Sequence, residues 1–288
     1  MDYFKKDGMR IMPVMFGPGG TPRETADGNR YVYKNSKGTT INSYKIIYEV
    51  DAITLKKMLP KFFTLSQPYI ILSFNQLRNI GWLAGNGYDL IQIEIPAVFN
   101  GCNGEISGTF VPVVWENHAD PILTGREQLG WNKIYADMNT PTVNGGIVRG
   151  SAYSWGFKFF ELELNLNQQP PNPEEFMRVI NSKENKGMMH LKYMPRTGGN
   201  FDIADIEYIT LSPKVWDAPK DVNLDMIPKA ETHVCSGKVT WYRAVWNQMP
   251  TQFHIVQKLY DLNVKRYIGA CNTISHSLND RKDQRIIK

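Results

Sequence analysis

The chain has 288 residues, 42% of them hydrophobic and 21% charged, with a formal net charge of +5. This is a globular composition that excludes a disordered or fibrous chain. The mild basic charge is scattered, and its densest run, NDRKDQRIIK, also contains acids, so nucleic-acid binding has no electrostatic footprint.

Cys102, Cys235 and Cys271 are odd in number and far apart, which argues against a disulfide framework or a zinc site and for a reducing compartment. The opening MDYFKKDGMRIMPVMFGPGG lacks the apolar core of a signal peptide. No apolar run approaches the roughly 20 residues that span a bilayer. A cytoplasmic protein without membrane segments is expected.

The length suits a single domain over residues 1–288, with 1–42 as an irregular N-terminal arm. The arm carries FGPGGTPRETADGNRYVYKNSKGTT, whose glycines lack the order of a phosphate loop and read as turns. Strands follow at 43–50, 69–75 and 88–99. In the last of these, Ile91, Ile93 and Ile95 face one way and Leu90, Gln92 and Glu94 the other. If that strand lines a cavity, Gln92 and Glu94 point into it; otherwise they face solvent. GFKFFELELNL repeats the alternation, and 188–194, 203–211 and 238–246 add strands.

Helices are few. Asp120 caps and Pro121 starts one through about Leu129; Asn172 caps NPEEFMRVINSK; TQFHIVQKLYDLN begins at Thr251; ITLKKMLP is shorter. Many strands with a few helices predict an α+β, mainly β fold of barrel-like form. His118 and Asp120 have ligating side chains, but a capped loop is the simpler reading and no metal is expected. His190, His233, His254 and His276 are isolated and receive no role; the absence of GxSxG argues against a serine hydrolase.

The chemistry concentrates in GREQLGWNKIYAD, where Lys133 sits between Trp131 and Ile134-Tyr135, six residues after Glu127. A buried lysine loses hydration, which disfavours its charged form and draws its pKa below the reference of about 10.4. The neutral amine adds to carbonyl carbon and forms an imine, an electron sink for bonds at the neighbouring carbon. Glu127, folded back over Gly130, would serve proton transfer. Alternatively, Lys133 runs its stem over aromatic surface while its head reaches water, and Arg126 pairs with Glu127 on a solvated face. Trp82, Tyr88, Trp131 and Tyr135 either line a pocket or fill the core.

GREQLGWNKIYAD resembles the active-site segment of the acetoacetate decarboxylase superfamily, in which Gly-Arg-Glu is followed, six residues after the Glu, by a Schiff-base lysine. By position, Lys133 matches the nucleophile and Glu127 the family carboxylate. IIYEVDAITLKKMLPKFF, IPAVFNG, LKYMPRTGG and IADIEYITLSPKVWDAP resemble further family segments, so the likeness spans roughly residues 43–220. MPVMFGPGGTPR with GWLAGNGY resembles a longer branch.

The resemblance implies a cone or barrel of antiparallel strands with a few peripheral helices around a buried pocket. It also implies homo-oligomers and a mechanism in which desolvation or a neighbouring cation activates the lysine. The family's second lysine is replaced by Ile134, its arginine falls near Ile41, and its two further acids fall near Ser73 and Leu90, with Asp89 and Glu94 as the nearest substitutes.

The expected function is therefore that of a lyase, a carboxy-lyase that removes carbon dioxide from a β-keto acid other than acetoacetate through an imine on Lys133, without a cofactor. The alternatives are an aldolase–dehydratase using a keto acid and an aldehyde, or a non-catalytic small-molecule binder. A decarboxylase would need Arg23, Arg78 or Arg126 to converge on Lys133. Besides Lys133 and Glu127, the candidate substrate contacts are Arg126, Glu94, Trp131, Tyr88 and Glu116.

Overall fold

The structure, a computed structural model, describes residues 11–16, 38–182, 184–199, 202–215, 220, 223–279 and 283–288. Most of the arm expected over 1–42 lies outside these residues. Its last part does not stay irregular, because the first strand begins at Thr39.

The strands, in chain order, are β1 (Thr39–Val50), β2 (Phe63–Leu65), β3 (Tyr69–Arg78), β4 (Tyr88–Gly101), β5 (Gly104–Glu116), β6 (Lys133–Tyr135) and β7 (Asp137–Asn144). They continue with β8 (Ile147–Ser154), β9 (Phe157–Asn165), β10 (Gly187–Pro195), β11 (Ala204–Pro213), β12 (Glu231–Trp241), β13 (Val264–Ser277) and β14 (Arg285–Ile287). The helices are α1 (Ala52–Lys56), α2 (Ala119–Thr124), α3 (Pro173–Ile180) and α4 (Phe253–Tyr260).

The strands form one curled sheet in the order β14-β11-β10-β5-β4-β3-β1-β13-β12-β9-β8-β7, with β2 on β4 and β6 on β5. The pairings are antiparallel except β5 with β10 and β5 with β6. The sheet curls without closing, so the expected cone is present as an open one.

The two faces of β1, β3 and β4 explain the architecture. One face buries Tyr44, Ile46, Leu72, Phe74, Ile91, Ile93 and Ile95 in the main core, with Trp115, Phe159 and Phe160. Phe159 packs 5.2 Å from Trp115 and Trp241 sits 4.9 Å from Phe160, ring centre to ring centre. On the other face, Ile47 and Ile71 meet Phe176 of α3, while the next rungs turn toward a cavity.

Sequence and structure differ in places. The strand expected at 238–246 ends at Trp241, and the segment beyond it leads into α4. Helix α4 starts after Gln252 rather than at Thr251, and α1 stops at Lys56. Helix α3 has the predicted cap: Asn172 accepts from the Glu175 amide, and Pro173 opens the helix. Cys235 and Cys271 are buried and reduced, and burial pushes the Cys235 thiol up to about 12.

Phe176 locks α3 onto the sheet. A Cβ at Gly269 would lie 2.8 Å from its ring, so glycine there is what lets the phenyl group seat on β13. Phe176→Ala is expected to cost about 3–5 kcal/mol, read as a fall in Tm and urea midpoint. An unchanged midpoint would mean that α3 does not brace the sheet.

Candidate active site

The cavity occupies about 230 Å³ on the outer face of β1, β3 and β4. Its floor is the polar-facing row predicted for β4: Tyr88, Leu90, Gln92 and Glu94 line it, with Lys45 of β1 and Ser73 of β3 opposite. Lys133 and Glu116 close its other side.

Local backbone geometry brings the lysine there. His118, not Asp120, caps α2: its ring Nδ1 accepts from the Asp120 amide at 3.4 Å. After Thr124 the helix widens into a π turn over Gly125–Leu129 and ends at Gly130, whose φ of 77° lies in the left-handed region that glycine adopts without strain. The chain then doubles back. Trp131 donates its amide to the Gly125 carbonyl at 3.0 Å, and β6 joins β5 in parallel, pairing Lys133 with Val114.

The turn is pinned from outside. Thr210 Oγ1 and Gln284 Nε2 both donate to the Leu129 carbonyl at 2.9 Å, and Lys192 Nζ donates to the Glu127 carbonyl. Arg126 Nη1 donates to the Lys133 carbonyl at 2.9 Å, fixing the backbone that carries the lysine.

Lys133 is 4% exposed and Glu116 fully buried. Lys133 Nζ lies 2.8 Å from Glu116 Oε1 and donates to the Pro121 carbonyl at 3.0 Å. The same nitrogen stands 5.2 Å above the Trp131 ring and 5.9 Å above that of Tyr88, within cation–π range. Trp131 in turn stacks on buried His190, ring centres 4.3 Å apart.

Glycine at 125 is a spatial requirement, because a Cβ there would fall 2.4 Å from Lys133 Cδ and 2.8 Å from Nζ. Glu94, at the far end of the floor, accepts from Gln92 Nε2 at 2.9 Å and Thr109 Oγ1 at 2.8 Å.

Of the residues singled out in the sequence, Lys133, Glu116, Trp131, Tyr88 and Glu94 therefore line one cavity. Two do not join them. Arg126 is exposed and holds backbone, and the half-buried Glu127 is not among the lining residues; its carbonyl, rather than its carboxylate, is engaged. The carboxylate at the amine is Glu116.

The cations also differ from expectation. Arg78 Nη1 pairs with Asp89 Oδ1 at 2.7 Å on the opposite face of β4, and Arg23 lies outside the described residues. Among the described lining residues, the cation facing Lys133 is Lys45. Its signal was the run Ile41, Ser43, Lys45 along one face of β1. Among the described residues, no cluster of His, Cys, Asp and Glu has the geometry to hold a metal ion.

The family model for acetoacetate decarboxylase (ADC) matches residues 11–270. The chain belongs to the acetoacetate decarboxylase family. No curated protein matches the sequence. Solved structures share the fold at low identity. An acetoacetate decarboxylase has a TM-score of 0.58 and 14% identity over 87% of this chain and 89% of that one. The acetoacetate decarboxylase of Legionella pneumophila gives 0.58 and 15% over 85% and 86%. The enduracididine biosynthesis enzyme MppR, complexed with the condensation product of pyruvate and imidazole 4-carboxaldehyde, gives 0.55 and 12% over 86% of each chain.

Ile41, Ser73 and Leu90, which stand where the family resemblance puts an arginine and two acids, all line the cavity. They stand in that lining beside the charged side chains of Lys45, Glu94, Glu116 and Lys133.

Two outcomes are expected from the buried pair. Removing either partner takes the opposite charge away from a buried ion, so Lys133→Met and Glu116→Gln each lower unfolding stability by about 3–5 kcal/mol. The double substitution recovers most of that loss, and additive losses would show that the pair is not coupled. Gly125→Ala displaces the Lys133 side chain while leaving the helix intact. It is expected to abolish labelling of Lys133 by amine reagents or keto compounds, with a fall in Tm no larger than that of Lys133→Met.

Proposed function

We propose that this protein is an imine-forming lyase acting on a small keto acid, with Lys133 as nucleophile and decarboxylation of a β-keto acid other than acetoacetate as its reaction. The observation that carries the reading is a buried lysine amine 2.8 Å from a buried carboxylate, both facing a cavity of small-molecule size.

Burial alone favours the neutral amine, and the carboxylate alone favours the ammonium. Together they share a proton: ammonium with carboxylate, or amine with carboxylic acid, both without net charge. Moving that proton to Glu116 frees the lone pair of Lys133.

The amine adds to the keto carbon, and Glu116 returns its proton as the carbinolamine loses water, leaving an iminium. The bond to the carboxylate then breaks, its electrons passing through the adjacent carbon to the iminium nitrogen. Carbon dioxide and a neutral enamine result. Protonation of the enamine carbon and hydrolysis release the ketone and regenerate Lys133. The step turns an anion beside a cation into neutral products, so a wall of Trp131, Tyr88, Leu90 and Leu129, where charge is poorly solvated, favours it. The sequence needs no cofactor.

A second reading has its own support. Glu94 in the same cavity would serve the proton transfers of an aldol addition and dehydration, in which the enamine attacks an aldehyde instead of a proton. The likeness to MppR is consistent with this branch.

The test is reduction with borohydride after incubation with acetoacetate, pyruvate or a longer β-keto acid, followed by intact-mass and peptide analysis. An adduct on Lys133 with a longer β-keto acid, lighter by carbon dioxide, is expected, and none with the Lys133→Met/Glu116→Gln protein. An adduct that keeps the carboxylate and grows when aldehyde is added would favour the aldol branch. Absence of any adduct would leave a small-molecule binder.

A further inference from the structure

The imine cavity opens onto another. A second cavity of about 420 Å³ shares Lys45, Glu94, Met188, Ser277 and Asn279 with the first and adds Lys214 and His276 among its lining residues. Lys45 and Glu94 thus stand at a neck between two chambers.

Their states differ. Glu94 is engaged by two neutral donors, Gln92 and Thr109. Lys45 is half-buried on β1, and its side chain makes no hydrogen bond or ion pair with any described residue. A partly desolvated cation without an acceptor among the described residues is costly, and an arriving anion relieves that cost. Beyond the neck, the charged and titratable lining is Lys214 and His276, so two lysines and a histidine stand against the one carboxylate of Glu94.

The register gives the reach. Lys45 pairs with Ser73, Ser73 with Gln92, Gln92 with Val114 and Val114 with Lys133, a single rung crossing five strands. Four spacings of about 4.8 Å put the two lysines roughly 19 Å apart along the sheet, a path that its curl shortens through space. Acetoacetate, whose one carboxylate lies a single methylene from the keto carbon, brings no second anionic group to the neck.

We propose that the two chambers form one substrate site, and that the keto acid bears a second carboxylate, remote from the keto group, which is held at the neck by Lys45 with Lys214 and His276 beyond it. This rests on the imine reading for the keto end, but the anion-binding end can be tested without it.

Calorimetric titration would compare adipate with hexanoate, which match in length and differ in the second carboxylate. Loss of a hydrogen bond to a charged group corresponds to about tenfold or more in affinity, so adipate should bind at least about tenfold more tightly. Lys45→Met and Lys45→Gln should each remove most of that preference. Equal binding of the two acids, or a preference that survives both variants, would overturn the proposal.

Borohydride trapping and kcat/KM with 3-oxoadipate and 3-oxohexanoate then separate the two claims. A diacid preference in calorimetry with no adduct from either keto acid keeps the two-chambered site and discards the imine. Adducts from both keto acids with equal kcat/KM, insensitive to Lys45, keep the imine and discard the remote carboxylate.

Discussion

A lysine and a glutamate, both withdrawn from water and 2.8 Å apart, set the terms for the rest of this molecule. Each ion taken alone would cost several kcal/mol to bury, and their mutual attraction offsets that only when geometry is held tightly. The protein meets the requirement with rigid parts. Glu116 ends a strand whose neighbours are core residues, and Lys133 starts the short parallel strand laid beside it. The Pro121 carbonyl supplies a second acceptor for the amine. A pair held this way is a weak source of stability, and in the proposed imine chemistry the shift of one proton between its two adjacent atoms would free the amine.

The fold is arranged around that demand. Curling the sheet lets the outer face of β1, β3 and β4 wrap a cavity while the inner face builds an ordinary aliphatic and aromatic core. The π turn over Gly125–Leu129 absorbs the change of direction between α2 and β6, and bare Gly125 gives the lysine stem its passage. Hydrogen bonds from β10, β11 and Gln284 hold the turn by its carbonyls. Arg126 and Glu127 belong to the scaffold of the turn, and Glu116, Tyr88 and Trp131 line the cavity.

Much of this was legible in local pattern. The alternation from Tyr88 to Ile95 separates cavity from core correctly, because in a strand the side-chain period alone decides the face. Asn172-Pro173 announces α3 because a cap acts within one turn. Lys133 stands out by its apolar setting and its place after Gly-Arg-Glu. What stayed hidden depends on pairing between distant segments. That Glu116 rather than Glu127 meets the amine follows from the parallel β5–β6 contact, which no spacing in the sequence encodes. Lys45 faces the cavity because β1 lies two strands from β4, and the second chamber exists only where β10, β11 and β13 converge. The widening of α2 into a π turn likewise escaped a reading that extended one regular helix to Leu129.

Imine formation at Lys133 is the claim from which the chemistry follows, and oxygen exchange isolates it from every later step. Keto compounds shown by calorimetry to bind would be labelled with oxygen-18 at the carbonyl and followed in ordinary water by mass spectrometry. The account predicts loss of label well above the spontaneous rate with the native protein, and the spontaneous rate with Lys133→Met/Glu116→Gln. Label retained at the background rate by every bound keto compound would contradict it.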